Sequence, residues 1–272
     1  MSKLLTTLIL LTIFKIVNAQ EFEPLELVQN VFTNKEFAKE ISNYATGEYK
    51  GHPNANDLPI NINLNFRLLN KSEYTAVVNI TMLDSSKKGI DTYVHLKKGE
   101  KWKINAFRAL AMTAFMKQSM VKMEEMTEEQ IDTLIRKGET FTSKKHFYRE
   151  LENIKLTLAL DDIIIKHFEK NKEKFEELKN KLQNIVLNKK EESYQKMNLG
   201  NKVKADYRKL LINSISKSID CKNCFEFIIG GMIDNTVGFF YISNEQNVPK
   251  MNTNRIIMIR EIGNGWYLFK TT

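Results

Sequence analysis

Twice in this chain a strand-like run that carries charge meets a glycine turn and then a tryptophan three residues beyond the glycine. The first instance is Tyr93-Val-His-Leu-Lys-Lys-Gly-Glu-Lys-Trp-Lys-Ile-Asn-Ala-Phe107, and the second is Ile257-Met-Ile-Arg-Glu-Ile-Gly-Asn-Gly-Trp-Tyr-Leu-Phe-Lys270. Each closes a stretch with the turn residues and alternation of antiparallel hairpins. Two such units, each a helix plus a sheet, predict an α+β chain built as a tandem repeat. The alternative is a chance likeness between two hairpins.

Periodicity supports the first unit. Leu25, Val28, Phe32, Phe37 and Ile41 recur at near-helical spacing and predict a helix over 23–45. A loop rich in Gly, Pro and Asn follows over 49–59. The alternating run Ile60-Asn-Ile-Asn-Leu-Asn-Phe66 places its apolar residues on one face of a half-buried strand. Strands at 74–83, 91–97 and 101–107 complete a four-stranded meander.

The middle of the chain is helical. Apolar residues run from Ala109 to Met126, and Thr127-Glu-Glu-Gln130 has the capping-box form that starts a new helix, with Gly138 as its stop. From 144 to 186 a roughly seven-residue apolar rhythm is broken at Asp161-Asp162, Lys172 and Lys179, which predicts two helices or one kinked helix. A further helix is expected over 202–219. Four short strands are expected at 225–232, 237–243, 255–262 and 266–271. The expected division is a signal peptide over 1–19, a cone-like unit over 20–108, a helical connection over 109–159 and a second cone-like unit over 160–272. Each unit is expected to carry a curved four-stranded sheet.

The signal peptide is read from MSKLLTTLILLTIFKIVNAQ: Lys3, an apolar run from Leu4 to Phe14, and Val17-Asn18-Ala19 before Gln20. The run ends at Lys15, short of the roughly 20 apolar residues a membrane span needs, so the chain is expected to be periplasmic or secreted and not membrane-spanning. Export makes nucleic acid a poor partner. Removing Lys3 and Lys15 lowers the formal charge from +8 to +6, an excess that suits anionic glycans or lipid head groups or simply solubility.

The two cysteines, Cys221 and Cys224, are expected to form a local disulfide in an oxidising compartment. A redox dithiol is the alternative, but the strand-like Phe-Glu-Phe-Ile-Ile that follows offers no helix N-terminus to lower a thiol pKa.

The hairpin residues Gly99, Trp102 and Ile104, and more loosely Gly263, Trp266 and Leu268, resemble the closing hairpin of the nuclear transport factor-like or cystatin-like α+β cones. That resemblance implies a sheet wrapped round a helix, in places with a pocket in the cone. It implies no particular activity, because such folds serve enzymes and binding modules alike.

Chemistry is sparse. His52, His95, His146 and His167 have no metal-ligand spacing, and His95 is expected on the strand face opposite Val94 and Leu96. Asp161-Asp162 diverge on a helix, so a helix start or a kink is expected rather than an acid/base dyad. Gly230-Gly231 suits a bulge rather than a phosphate loop. Met112, Met116, Met120, Met123 and Met126 share a helix face and suit core packing, with Cu(I) as the alternative. The residues therefore point to no catalytic set, cofactor or metal site. A non-enzymatic binding or interaction module is expected, with an unidentified protein or small-molecule partner. The alternative is a small-molecule enzyme of hydrolase or isomerase type with a pocket in one cone.

Overall fold

A computed structural model describes residues 21–187, 199–221 and 224–272. The expected signal peptide lies outside them. The chain is α+β, with a four-stranded and a five-stranded antiparallel sheet separated in sequence by helices.

Helix α1 (Pro24–Thr33) opens on a proline in its first turn, where the missing N–H costs nothing. Leu27, Val28, Val31 and Phe32 fall on one face and are buried. The helix is shorter than the periodicity predicts. Asn34 leaves the helical region, and its Oδ1 accepts from the backbone N–H of Glu36 (3.0 Å) and Phe37 (3.1 Å), starting a separate 3-10 turn over Phe37–Asn43. A local side-chain bond has competed successfully with helix continuation.

Strands β1 (Asn63–Lys71), β2 (Thr75–Leu83), β3 (Gly89–Lys98) and β4 (Trp102–Ala109) pair as the expected meander, in the order β1-β2-β3-β4. The alternating run enters it late: β1 starts at Asn63 and continues to Lys71, leaving Ile60 outside the strand and 93% exposed. Side-chain parity divides this sheet. Val78, Ile80, Val94 and Leu96 pack with α1, whereas Val77 and Tyr93 join the core beneath the second sheet. Strand β3 is thus buried on both faces, which is why Asp91 to Leu96 are all enclosed.

Three helices follow. α2 (Thr113–Glu124), α3 (Glu128–Lys137) and α4 (Lys144–Thr157) share a small core of Met123, Ile131, Phe147 and Leu151, with Met120 and Met126 packed against it. The capping box forms as expected: Thr127 Oγ1 accepts from Gln130 N, and Gln130 Oε1 accepts from Thr127 N at 2.8 Å. Gly138 ends α3 at φ +67°, a left-handed conformation that glycine takes at little cost.

The region expected as two helices or one kinked helix forms three: α4, α5 (Asp161–Lys170) and α6 (Lys172–Leu187). The expected helix over 202–219 is also corrected. Helix α7 (Asn201–Lys209) stops, Leu211 takes φ +57°, and Ser214–Lys217 becomes a strand, β5, paired with Phe225 to Ile228. The Leu210, Leu211, Ser214 and Ile215 pattern fits both structures. The ladder, opened by Asn213 N donating to Ile228 O at 2.7 Å, selects the strand.

The second sheet therefore has five strands, not four: β5, β6 (Phe225–Met232), β7 (Asn235–Tyr241), β8 (Ile256–Gly263) and β9 (Trp266–Thr271), in the order β5-β6-β7-β9-β8. Its closing hairpin docks the opposite way round from the first. The Trp102 strand lies outermost in its sheet, while the Trp266 strand sits inside, between β7 and β8. The two halves share a hairpin but not a strand order. Trp266 is fully buried among Phe168, Phe175 and Phe227, and its indole N–H donates to Glu176 Oε1 at 2.7 Å. Among the described residues no helix is long and apolar enough to cross a membrane.

Candidate binding groove

Two places bring polar chemistry together, and they differ in access. The first is the junction between the sheets. Asp161 opens α5, whose N-cap residue Leu160 makes no side-chain cap. Asp91 supplies the missing acceptor from β3: its Oδ2 accepts from Asp161 N at 2.7 Å, and its Oδ1 from Asn79 Nδ2 at 3.1 Å and Thr81 Oγ1 at 2.5 Å. The Asp161 carboxylate receives Lys270 Nζ at 2.7 Å and the Tyr93 hydroxyl at 2.9 Å. Burial pushes the Asp161 carboxyl above its ordinary range, with the Lys270 ammonium working against it, and burial also raises the Tyr93 phenol well above its usual value. Asp162 turns outward between Arg67 (3.0 Å) and Arg260 (2.5 Å), and its bond to Arg67 leads in lowering its pKa to about 2.

His95 belongs to the same junction. Its ring lies on the face opposite Val94 and Leu96, as expected, and Nε2–H donates to Ile257 O at 3.0 Å. Burial lowers its pKa to about 4. These groups resemble an acid/base set, yet Asp91, Tyr93, His95, Asp161 and Lys270 are each at most 5% exposed. Their bonds hold two sheets together and present nothing to solvent.

The second place is an open groove of about 740 Å³ between α4 and α7. Helix α4 contributes Lys145, His146, Tyr148, Arg149 and Glu152, and α7 contributes Ala205, Arg208 and Lys209. Sequence places these two sets some sixty residues apart. They meet because Asn153 Nδ2 donates to Leu211 O (2.6 Å) and Ile229 O (2.7 Å), tying α4 to the end of α7 and to β6. Gly230 permits the approach: a Cβ there would lie 2.3 Å from Thr157 Oγ1.

Four cations line this groove against one carboxylate, Glu152, which is itself paired with Lys155 at 3.2 Å. Among the described residues Lys145 and Arg208 form no ion pair. Asp206 lies 2.9 Å from Lys181 and only 3.6 Å from Lys209. Arg149 pairs with Glu150, while its Nη1 is buried with no partner among the described residues. Ser143 Oγ caps α4 by accepting from His146 N at 3.1 Å, and the Tyr148 hydroxyl donates to Glu128 Oε1 at 2.5 Å.

The remaining residues picked from the sequence lie elsewhere. His52 Nδ1 sits 2.7 Å from Asp57 Oδ2 in an exposed loop, and His167 Nε2–H donates to Leu210 O at 3.0 Å. The sulfurs of Cys221 and Cys224 lie at disulfide distance, 2.09 Å, beneath the second sheet's outer core. Met120, Met123 and Met126 pack among apolar side chains, and the described residues hold no group of three or more His, Cys, Asp or Glu arranged for a metal. The groove cations escaped the sequence analysis. The signal available was Lys144-Lys145 in the first turn of α4, where helix electrostatics favour acids. No family model matches the chain, and neither does any curated protein or solved structure.

Proposed function

We propose that this is an exported, non-enzymatic binding module that meets its ligand in the groove between α4 and α7. The observation that carries this reading is the division of labour just described. Tyr93, His95 and Asp161, whose pKa values burial displaces, are sealed in the sheet junction and hydrogen-bonded there. The open concavity offers cations and hydroxyls, with Thr142 Oγ1 3.3 Å from His146 Nδ1 and His146 Nε2 3.3 Å from Glu150 Oε1. The face of the first sheet carries α1, and that of the second carries Phe168 and Phe175 of α5 and α6.

Export is supported by the apolar leader, by two cysteines at disulfide distance and by the absence of a membrane-length helix among the described residues. We also read the N-terminal unit as a cone of the cystatin-like or nuclear transport factor-like kind, supported by α1 laid on a four-stranded meander. Tandem duplication of that unit draws support from the paired hairpins, against the differing strand orders.

Ala205 is exposed on α7 and faces the groove, so Ala205→Trp fills the groove without entering the core. Saturation-transfer NMR of a glycan, lipid and metabolite panel is expected to give binders that the variant loses while its spectrum stays folded. Binders retained by Ala205→Trp place the ligand elsewhere and sink this reading.

A further inference from the structure

Given that the α4–α7 groove is the binding site, we infer that it takes an acidic oligosaccharide, a short pyranose chain bearing carboxylate or sulfate groups. Three features of the groove select this class. Its volume of about 740 Å³ lies within the roughly 300–1,000 Å³ of sites for small organic ligands and is oversized for a lone phosphate. Its charge comes from two helices, with Lys145 and Arg149 on α4 facing Arg208 and Lys209 on α7, so successive anionic groups meet cations from opposite walls. Lys145 and Arg208, which form no ion pair among the described residues and are exposed, are the cations open to such a ligand, whereas Arg149 is already bonded to Glu150.

The neutral part of the lining fits a sugar. The Tyr148 side chain is 43% exposed, and its hydroxyl is tied to Glu128, which holds the ring still as an apolar platform with a polar edge. Pyranose rings offer just such an apolar C–H face. Ser143 and Thr142 add hydroxyls at the groove's end for the sugar's own hydroxyls. A bilayer surface is a poorer occupant, because the aliphatic lining is confined to Ala205 and Leu211 and offers no large anchor.

The test is calorimetric titration of the mature full-length chain with four probes: a galacturonate hexamer, a sulfated heparin-type hexasaccharide, neutral maltohexaose and inorganic phosphate. Saturable binding of at least one acidic hexamer is expected, weaker as NaCl is raised and absent for maltohexaose. In Lys145→Glu/Arg208→Glu, both exposed positions, the affinity falls about tenfold or more. The control Lys97→Glu/Lys103→Glu makes the same change in net charge at the β3–β4 hairpin, on a second lysine-rich surface, and leaves the affinity unchanged. Circular dichroism confirms that both variants fold.

Binding of phosphate alone overturns the ligand class and leaves the groove reading intact. Equal loss in both double variants overturns it in favour of general charge attraction. Equal binding of maltohexaose shows that the cations are not used. No binding of either acidic hexamer also overturns the inference, and the groove itself then stands or falls by Ala205→Trp.

Discussion

His95 shows how one residue can look functional in a sequence and be structural in the fold. Its neighbours Val94 and Leu96 point to α1, so strand parity sends the imidazole toward the second sheet, where Ile257 O accepts its proton. Burial, seconded by the Arg108 guanidinium and opposed by Glu48, disfavours the charged ring. The unfolded chain takes up this proton near pH 6.5 and the folded one only near pH 4, so the unfolded state binds more protons between those values. Stability is therefore complete above pH 6.5 and falls as the pH drops toward 4. The loss from this group is of order 3 kcal/mol. Urea denaturation at pH 7.5 and 4.5 measures it. His95→Gln, which keeps an N–H donor, is expected to lose much of that slope, and an unchanged slope would assign the effect to other groups such as His167.

At the scale of elements, helix α4 does the positioning. Its capping serine, its Asn153 bonds to Leu211 O and Ile229 O, and its contact with Gly230 fix one wall of the groove against the other. Gly230→Ala is expected to cost about 1–3 kcal/mol, because the new methyl meets Thr157 Oγ1 and Asn153 Oδ1 in a packed interior. Gly230→Ala/Thr157→Ala relieves the nearer contact, so denaturation of the double variant should show strong non-additivity. Additive losses would mean that β6 shifts instead. The same scale explains the strand missed at Ser214–Lys217. Local spacing there was compatible with helix, and only pairing with Phe225 to Ile228 decided it.

Across the whole molecule, Lys270 of β9, Asp161 of α5 and Tyr93 of β3 join the two sheets through one buried contact, bordered by the Arg67–Asp162–Arg260 bridge. Removing one partner of a buried pair leaves an unmatched charge, so Lys270→Met is expected to destabilise by about 3–5 kcal/mol. Lys270→Met/Asp161→Asn should recover part of it, since the carboxylate left alone by the first change is gone. A Lys270→Met variant that unfolds at the wild-type denaturant midpoint would show that the junction contributes nothing.

The sequence by itself determined the elements whose cause is local. The four-stranded meander (though not the start of its first strand), the Thr127 capping box, the Gly138 stop, the break in the helical rhythm at Asp161-Asp162 and the side of β3 on which His95 lies all follow from spacing, turn chemistry and parity over a few residues. Tertiary structure alone decided the rest. It set the fifth strand, the inward docking of β9, the cap that Asp91 lends to α5, and the meeting of Lys145 and Arg149 with Arg208 and Lys209. Each of these depends on pairing between residues tens of positions apart. Such pairing is selected by the burial and hydrogen bonds of the assembled core, which no local window of sequence contains.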